Sequence, residues 1–430
     1  MTSTQQAPRQ TAAGAPRRTV DAARWPDVAV ADGSAVRAAV ARVLFTRAVA
    51  ALPLRVRLPD GRLLGAGAPD APVMVLHRPR EFFRRFGASG LIGFGESYLA
   101  GDWDCADLTA LLTVLAAHVG DLVPPGLQRM RALAVRHQPA ADQQTRGGAR
   151  RNIGRHYDLS NELFALFLDE TMTYSSALFP ATADGTPLAA DHLLADGQRR
   201  KIDTLLDRAG AGPGARLLEV GTGWGELAIR AAQRGAQVVT VTLSREQQAY
   251  AARRIAEAGL ADQVRVELRD YRDVEGTFDA ICSCEMLEAV GEHYWDEYFT
   301  VLDRLLAPGG RIGLQSITMP HDRMLATRHT YTWIQKYIFP GGLLPSVTAI
   351  ENSLERHTRL RITDRADFGP HYAETLRIWR NRFQARAGEV AALGFDDVFA
   401  RMWTFYLCYS EAGFRSGYID VSQLTLARAR

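Results

Sequence analysis

The sequence predicts an α/β protein in which an open, mainly parallel sheet follows a smaller α+β domain. Three observations carry that reading. From about residue 215 onward, short apolar runs alternate with amphipathic helical stretches in the βαβ manner. One such run, residues 215–220, ends in glycines at alternate positions, Gly221, Gly223 and Gly225, and a helix follows at once. A chain of 430 residues also exceeds the size at which a single core stops growing, so two domains are expected.

Residues 1–30 are Ala-, Pro-, Gln- and Thr-rich without periodicity and read as a disordered leader. The first domain, 31–137, opens with an amphipathic helix over 36–51. Residues 54–64 alternate around Pro59-Asp60-Gly61 and read as a hairpin; 73–76 is a strand and 79–86 a basic helix. Residues 91–103 are Gly- and aromatic-rich, and 108–118 read as an apolar helix. A polar linker is expected at 138–150 and the second domain at 151–430. There, helical segments at 153–168 and 173–179 precede strands at 215–220, 237–242, 264–268, 278–282 and 310–316. Helices are expected at 226–234, 245–258, 294–306 and around 331–338, and a late helix, 397–408, leads to a strand over 418–427. In such sheets the ligand sits at the carboxyl ends of the strands.

A hydrophobic content of 47% with 23% charged residues is that of a globular protein, and no run of about 20 apolar residues, as a spanning helix needs, is present. The first residues lack the apolar core of a signal peptide, and four cysteines (Cys105, Cys282, Cys284, Cys408) in so long a chain suggest a reducing cytoplasm. Cys282 and Cys284 alternate along a strand, so no metal site is expected. Net charge is only +3, and Lys201 and Lys336 are the only lysines. The arginines cluster at Arg78, Arg80, Arg84 and Arg85, at Arg129, Arg131 and Arg136, and at Arg146, Arg150, Arg151 and Arg155. Their planar forks suit phosphate, so an anionic membrane surface is an expected partner; solvated helix faces are the plain alternative. Aromatic residues are not interleaved with these bases, so nucleic acid is not expected.

The glycine turn Leu217-Leu218-Glu219-Val220-Gly221-Thr222-Gly223-Trp224-Gly225 lets backbone approach a ligand where a Cβ would intrude. A dinucleotide fingerprint would place a glycine where Glu226 stands, whereas an acid two residues before the first glycine suits S-adenosylmethionine (SAM). Glu219 is placed for a ribose or an ammonium group. Thr242 and Gln247 stand where an acid often grips the ribose hydroxyls, although Ser244 and Gln247 also read as a capping box. Asp270 offers a carboxylate to the adenine amino group and Tyr271 a ring to stack on it.

Several further pieces share one resemblance. His156-Tyr157-Asp158-Leu159-Ser160-Asn161-Glu162, Met172-Thr173-Tyr174-Ser175, Gly223-Trp224-Gly225, Thr242-Leu243-Ser244, Tyr372 with Thr375-Leu376 and Trp379, and Phe414-Arg415 are similar to the cyclopropane-fatty-acyl-phospholipid synthase and mycolic-acid methyltransferase family. Gly93-Phe94-Gly95-Glu96-Ser97-Tyr98 with Gly101-Asp102-Trp103 resembles the N-terminal domain of its longer members. The resemblance implies a class I SAM-dependent methyltransferase fold, Rossmann-like, with SAM held by Tyr174, Ser175, Gly221, Gly223, Trp224, Thr242, Leu243, Gln247 and Tyr271. It implies C1 transfer to the cis double bond of an oleoyl-type chain in membrane phospholipid, through a carbocation. The expected base is a bound bicarbonate, tethered by Glu288 with Tyr372 and backbone groups, and with Gln315, Ser176 and Ile317 beside it; Glu285 is the competing acid.

Four positions depart from the family pattern. Its Glu-His-Val/Phe-Gly reads Glu288-Ala289-Val290-Gly291 here, a histidine becomes Gln315, and two cysteines become Ser176 and Ser410. The variants Glu288-Ala289-Val290-Gly291 and Gln315-Ser316-Ile317-Thr318 resemble the methylene-forming, tuberculostearic-type branch, so a 10-methylene-stearoyl-type product is expected, with a cyclopropane as the alternative. A dry channel lined by Phe164, Phe167, Tyr331, Trp333, Tyr337, Ile338, Phe339, Trp403, Phe405 and Tyr406 would take the acyl chain. A SAM methyltransferase of a soluble natural product, or a lipid-binding protein without activity, are the other classes. The expected location is cytoplasmic, peripheral at the inner face of the plasma membrane, with a homodimer and a reductase of the methylene product as further partners.

Overall fold

The computed structural model describes residues 19–119 and 160–429, and the chain divides into two compact units, Met1–Leu111 and Leu112–Arg430. The linker expected at 138–150, the motif residues 156–159 and the arginines from 129 to 155 lie outside the described residues.

In the first unit a helical turn, Pro26–Ala29, stands inside the segment expected to be a leader, with Val28 buried. The helix Ala35–Ala50 follows, capped by the Ser34 hydroxyl. Strands β1 (Arg55–Arg57), β2 (Leu63–Leu64), β3 (Val73–Leu76) and β4 (Trp103–Cys105) form a sheet in the order β2-β1-β3-β4. The expected hairpin is its β1–β2 pair. The helices Pro79–Ser89 and Leu91–Leu99 bring Phe82, Phe83 and Phe94 against Phe45 and Trp103, with Phe45 and Phe82 edge-to-face at 5.2 Å.

The arginine cluster expected to meet lipid is partly internal. Arg85 Nη1 lies 3.0 Å and Arg78 Nε 2.9 Å from the buried Asp102 carboxylate, which burial pushes up to about 6 against the pull of both guanidiniums. Removing one partner of a buried ion pair leaves the other charge uncompensated. Asp102→Asn is therefore expected to cost about 3 kcal/mol, seen as a lower denaturant midpoint; an unchanged midpoint would remove the pair's structural role.

The second unit is built on seven strands: β5 (Arg216–Val220), β6 (Gln237–Thr242), β7 (Val264–Leu268), β8 (Phe278–Cys284), β9 (Leu306–Thr318), β10 (Leu360–Asp367) and β11 (Asp420–Arg428). Their order is β10-β11-β9-β8-β5-β6-β7, parallel from β7 to β9, with β11 and β10 antiparallel at one edge. Alternation along β5 decides which side each residue feeds. Leu217 joins Ile202, Leu205 and Leu206 of the helix Leu194–Ala209, while Leu218 and Val220 join Tyr298, Phe299 and Leu302 of the helix Trp295–Leu305. From β5 the chain winds outward through β6 and β7, then returns to the other side of β5 as β8. The β5–β8 boundary is therefore the topological switch point at which such sheets open a ligand crevice.

The five parallel strands stand where the sequence expects them. Residues 173–179, expected helical, are not. Their peptide groups are taken by side chains instead: Gln198 Nε2 donates to the Ser175 carbonyl (2.7 Å), and Ala177 N and Phe179 N donate to Thr375 Oγ1 (3.1 Å) and His371 Nδ1 (3.1 Å). Such bonds offer the backbone an alternative to a helix. The expected helix at 153–168 is reduced, among described residues, to Asn161–Ala165. Strand β10 and the helices Leu194–Ala209, Val347–His357 and Gly369–Ala385 carry no expectation from sequence.

Candidate active site

The glycine turn ends β5 at the switch point. Gly221, Gly223 and Gly225 all have positive φ (100°, 51° and 92°), a region that L side chains avoid. They differ in what faces them. A Cβ on Gly221 would meet the Met286 side chain at 2.6 Å, one on Gly225 would meet Ala251 at 3.0 Å, and one on Gly223 would meet nothing within 4 Å. A side chain on Gly225 would thus press on a neighbouring helix residue, whereas Gly223 borders open space.

Glu219 is buried on β5, and its Oε2 has no hydrogen-bond partner. Burial pushes its carboxyl up to about 8, against the Thr240 hydroxyl and the Lys201 ammonium, which pull it down. A buried acceptor without a donor beside a glycine turn is what the ammonium of SAM would complete, so the residues fit that cofactor. An ammonium favours the ionised carboxyl, so binding would release a proton below about 8. SAM affinity is accordingly expected to rise as pH climbs toward that value and to lose this slope in Glu219→Gln. Titration calorimetry at several pH values checks it, and equal slopes in both proteins would refute the assignment.

At the end of β6, Thr242 Oγ1 donates to Gln247 Oε1 (3.0 Å) and accepts from Ser244 N (3.1 Å), while the Ser244 hydroxyl caps the helix Arg245–Glu257. Leu243 lies between them, partly buried. Asp270, expected at adenine, has both oxygens gripped by Arg272 (Nε 2.8 Å, Nη2 2.6 Å) and caps the turn Tyr271–Asp273. The Tyr271 ring packs edge-on against Tyr298 at 5.3 Å. Trp224 is buried, donates from Nε1 to Asn161 Oδ1 (2.8 Å) and packs 5.0 Å from Phe164.

Phe164 joins Trp224 of the turn (5.0 Å) to Tyr174 (5.1 Å), the start of an aromatic wall. Tyr174 stacks on Trp379 at 5.3 Å and hydrogen-bonds Tyr406 hydroxyl to hydroxyl at 2.6 Å. Tyr406 in turn meets Phe339 at 5.8 Å. Of the expected channel residues, Phe164, Phe167 and Trp403 are sealed in the core that backs this wall, whereas Tyr331, Tyr337 and Phe339 are only partly buried.

The carboxylates divide otherwise than expected. Glu285, just beyond β8, receives Ser175 Oγ (3.0 Å), Ser176 N (3.3 Å) and Gln315 Nε2 (2.8 Å) on Oε1, and the Tyr372 hydroxyl (2.8 Å) on Oε2. Tyr372 is held protonated, because burial pushes its pKa up and the charge of Glu285 adds to this. Gln315 is fully buried and its orientation is fixed from behind, since Gln423 Nε2 donates to its carbonyl at 3.0 Å. Lys201, also buried, donates to Ser175 Oγ at 2.8 Å. Glu285 sits at φ 53°; among the described residues only Met172 shares a positive φ without being glycine. Such a conformation costs roughly 1 kcal/mol and marks a position held by its surroundings.

Glu288, expected as the tether, lies outside this ring of donors. Its Oε1 accepts from Ser316 Oγ (3.1 Å) and from the backbone N–H of Ile317, and its Oε2 is buried without a partner. Burial first, then the charge of Glu285, pushes Glu288 up to about 8, so it holds a proton at neutral pH. The side chains and N–H expected around bicarbonate are thus already committed: Tyr372, Gln315 and the Ser176 N–H to Glu285, the Ile317 N–H to Glu288. The Ser176 hydroxyl donates to the Ala177 carbonyl. A bound bicarbonate does not fit these residues.

Lys201, Gln198 and Gln423 were not legible as site residues. Lys201 alone carried a signal, being one of two lysines among many arginines. Among the described residues no group of His, Cys, Asp and Glu could hold a metal, and no helix is long and apolar enough to cross a membrane.

A parallel sheet with a glycine turn, an orphaned acid and an open approach at its switch point defines a class I SAM-dependent methyltransferase. The chain belongs to the mycolic acid cyclopropane synthetase family, whose sequence pattern matches residues 144–424. It is 56% identical over 96% of its length, and 97% of the relative's, to the tuberculostearic acid methyltransferase UfaA1 of Mycobacterium tuberculosis. It is 35% identical to the cyclopropane-fatty-acyl-phospholipid synthase of Escherichia coli K12, over 84% of this chain and 89% of that one. The solved structure of mycolic acid cyclopropane synthase CmaA1 with SAH and CTAB superposes with a TM-score of 0.57 at 33% identity, covering 67% of this chain and 98% of that one. The chain is thus a SAM-dependent methyltransferase that acts on unsaturated fatty acyl chains.

Proposed function

We propose that the enzyme adds the SAM methyl carbon to the cis double bond of an oleoyl-type chain in membrane phospholipid and releases a methylene-branched, 10-methylene-stearoyl-type chain. The observation that carries this is an ordered carboxylate, Glu285, at the cofactor's end of the sheet, whose donor Tyr372 packs edge-on against Trp379 of the aromatic wall. SAM, when bound, supplies an electrophilic methyl whose bond to sulfur breaks as the alkene π pair takes the carbon. The chain's residues then handle a cation. The packed rings of Tyr174, Trp379 and Tyr406 exclude water that would trap it. If a hydride moves from the methylated carbon to its cationic neighbour, loss of a methyl proton leaves an exo-methylene; without that shift the same loss closes a cyclopropane.

The 56% identity with a tuberculostearic acid methyltransferase supports the first outcome. A reductase would then be needed to saturate the methylene. Gas chromatography with mass spectrometry of lipids from cells expressing the protein beside an oleate source tests it. A new peak co-eluting with a cyclopropane standard would end the methylene reading.

Docking at an anionic, cytoplasmic membrane face rests on the helix Ala35–Ala50. It buries Ala41, Phe45 and Val49 yet leaves Val36, Val40, Val43 and Leu44 exposed on one side, with Arg37, Arg42 and Arg47 exposed nearby. An apolar stripe flanked by bases suits an anionic bilayer. Val40→Asp with Val43→Asp is expected to reduce sedimentation with anionic vesicles severalfold; unchanged sedimentation would oppose it.

A further inference from the structure

We propose that the Glu285 carboxylate, held by Tyr372, Ser175, Ser176 and Gln315, is the base that removes the proton from the transferred carbon, in the place where a bicarbonate would otherwise sit. The inference rests on the reading that an acyl alkene is methylated, and it supplies that reaction's missing group.

Four facts converge on it. Glu285 lies immediately beyond β8, at the carboxyl end of the strand beside the glycine turn, with the neighbouring Met286 against Gly221. Its two oxygens collect four donors from three parts of the unit: residues 175 and 176, Gln315 on β9, and Tyr372 on the helix Gly369–Ala385. These donors fix both carboxylate oxygens in place, so the group is positioned before any substrate arrives. Glu285 is half-buried, as Glu288 is, but both of its oxygens have donors, whereas Oε2 of Glu288 is sealed without one. Its backbone is held in a left-handed conformation that only the surrounding contacts maintain.

The chemistry asks little of such a base. A carbocation makes its neighbouring C–H bonds strongly acidic, so a carboxylate suffices to accept the proton. The C–H pair becomes the new carbon–carbon bond, π for an exo-methylene or σ for a ring. The proton stays on Glu285 and leaves to solvent when the product departs. Adding bicarbonate would instead set a second anion against Glu285, in a poorly solvated site whose donors are already taken.

The test uses the full-length protein with SAM and oleoyl phospholipid vesicles in carbonate-free buffer. Wild type should turn over at the same rate with and without added bicarbonate. Glu285→Gln should lose about 100- to 10,000-fold in rate, the usual worth of a general base, with SAM affinity within a fewfold of wild type. Glu285→Gly relieves the positive φ and opens the donors, so it should fold, be inactive without small anions, and regain rate on addition of formate or bicarbonate. That rescue is a readout a merely structural carboxylate would not give. Bicarbonate-dependent wild-type turnover, a near-wild-type rate in Glu285→Gln, or a folded Glu285→Gly that no anion rescues would each overturn the inference. Absence of any wild-type product would sink the alkene reading as well, which separates the two failures.

Discussion

Gly223→Val is expected to yield a folded protein that takes up SAM at least 100-fold more weakly than wild type. The turn holds residue 223 at φ 51°, where a β-branched side chain is strained by about 1–2 kcal/mol. That strain alone is survivable. The larger effect follows from direction, because a Cβ there meets nothing within 4 Å and so projects where the ligand must approach. Gly225→Ala makes the contrast: its added methyl meets Ala251 at 3.0 Å and should lower stability more than affinity. Calorimetric titration with SAM beside thermal melts separates the two; wild-type affinity in Gly223→Val would move the cofactor elsewhere.

The second large effect is expected at Trp379. Its indole is fully buried, stacks on Tyr174 at 5.3 Å, and meets Tyr372 edge-on at 6.2 Å and Phe167 at 6.1 Å. Trp379→Ala removes the shared backing of one expected cofactor residue and of one donor to Glu285. The cavity should cost about 3–5 kcal/mol, and turnover should fall further than the loss of folded protein explains. Trp379→Phe, which keeps a ring, should recover most of the stability. Denaturant midpoints and rates per folded molecule check both; a stable, fully active Trp379→Ala would show that the wall does not order the site.

Much of the fold was legible because its signals are local. Strands such as Gln237–Thr242 are short apolar runs, and the glycine turn announces the first βα unit. The antiparallel edge was half hidden, since β10 is mostly exposed and its apolar alternation, Leu360, Ile362 and Ala366, is interrupted by Asp364, where the register shifts. Residues 173–179 misled because their backbone partners, Gln198, His371 and Thr375, come from distant helices. The site divides in the same way. Tyr372, Gln315 and Ser176 were recognisable as ligands of an anion. That the anion is a side chain of the same protein depends on a left-handed residue at 285, and only the folded loop reveals that. Glu288 drew attention by its place in a motif, yet its burial leaves it protonated, and Glu288→Gln, close to that neutral form, is expected to retain most of the activity that Glu285→Gln loses.

The most direct measurement of the central claim follows the donor carbon. Purified protein is given SAM carrying a CD3 group and oleoyl phospholipid vesicles, and the released fatty acids are weighed by mass spectrometry. Transfer followed by proton removal from that same carbon predicts a new chain bearing CD2. A chain that keeps CD3, or a label that never enters the acyl fraction, would contradict the account.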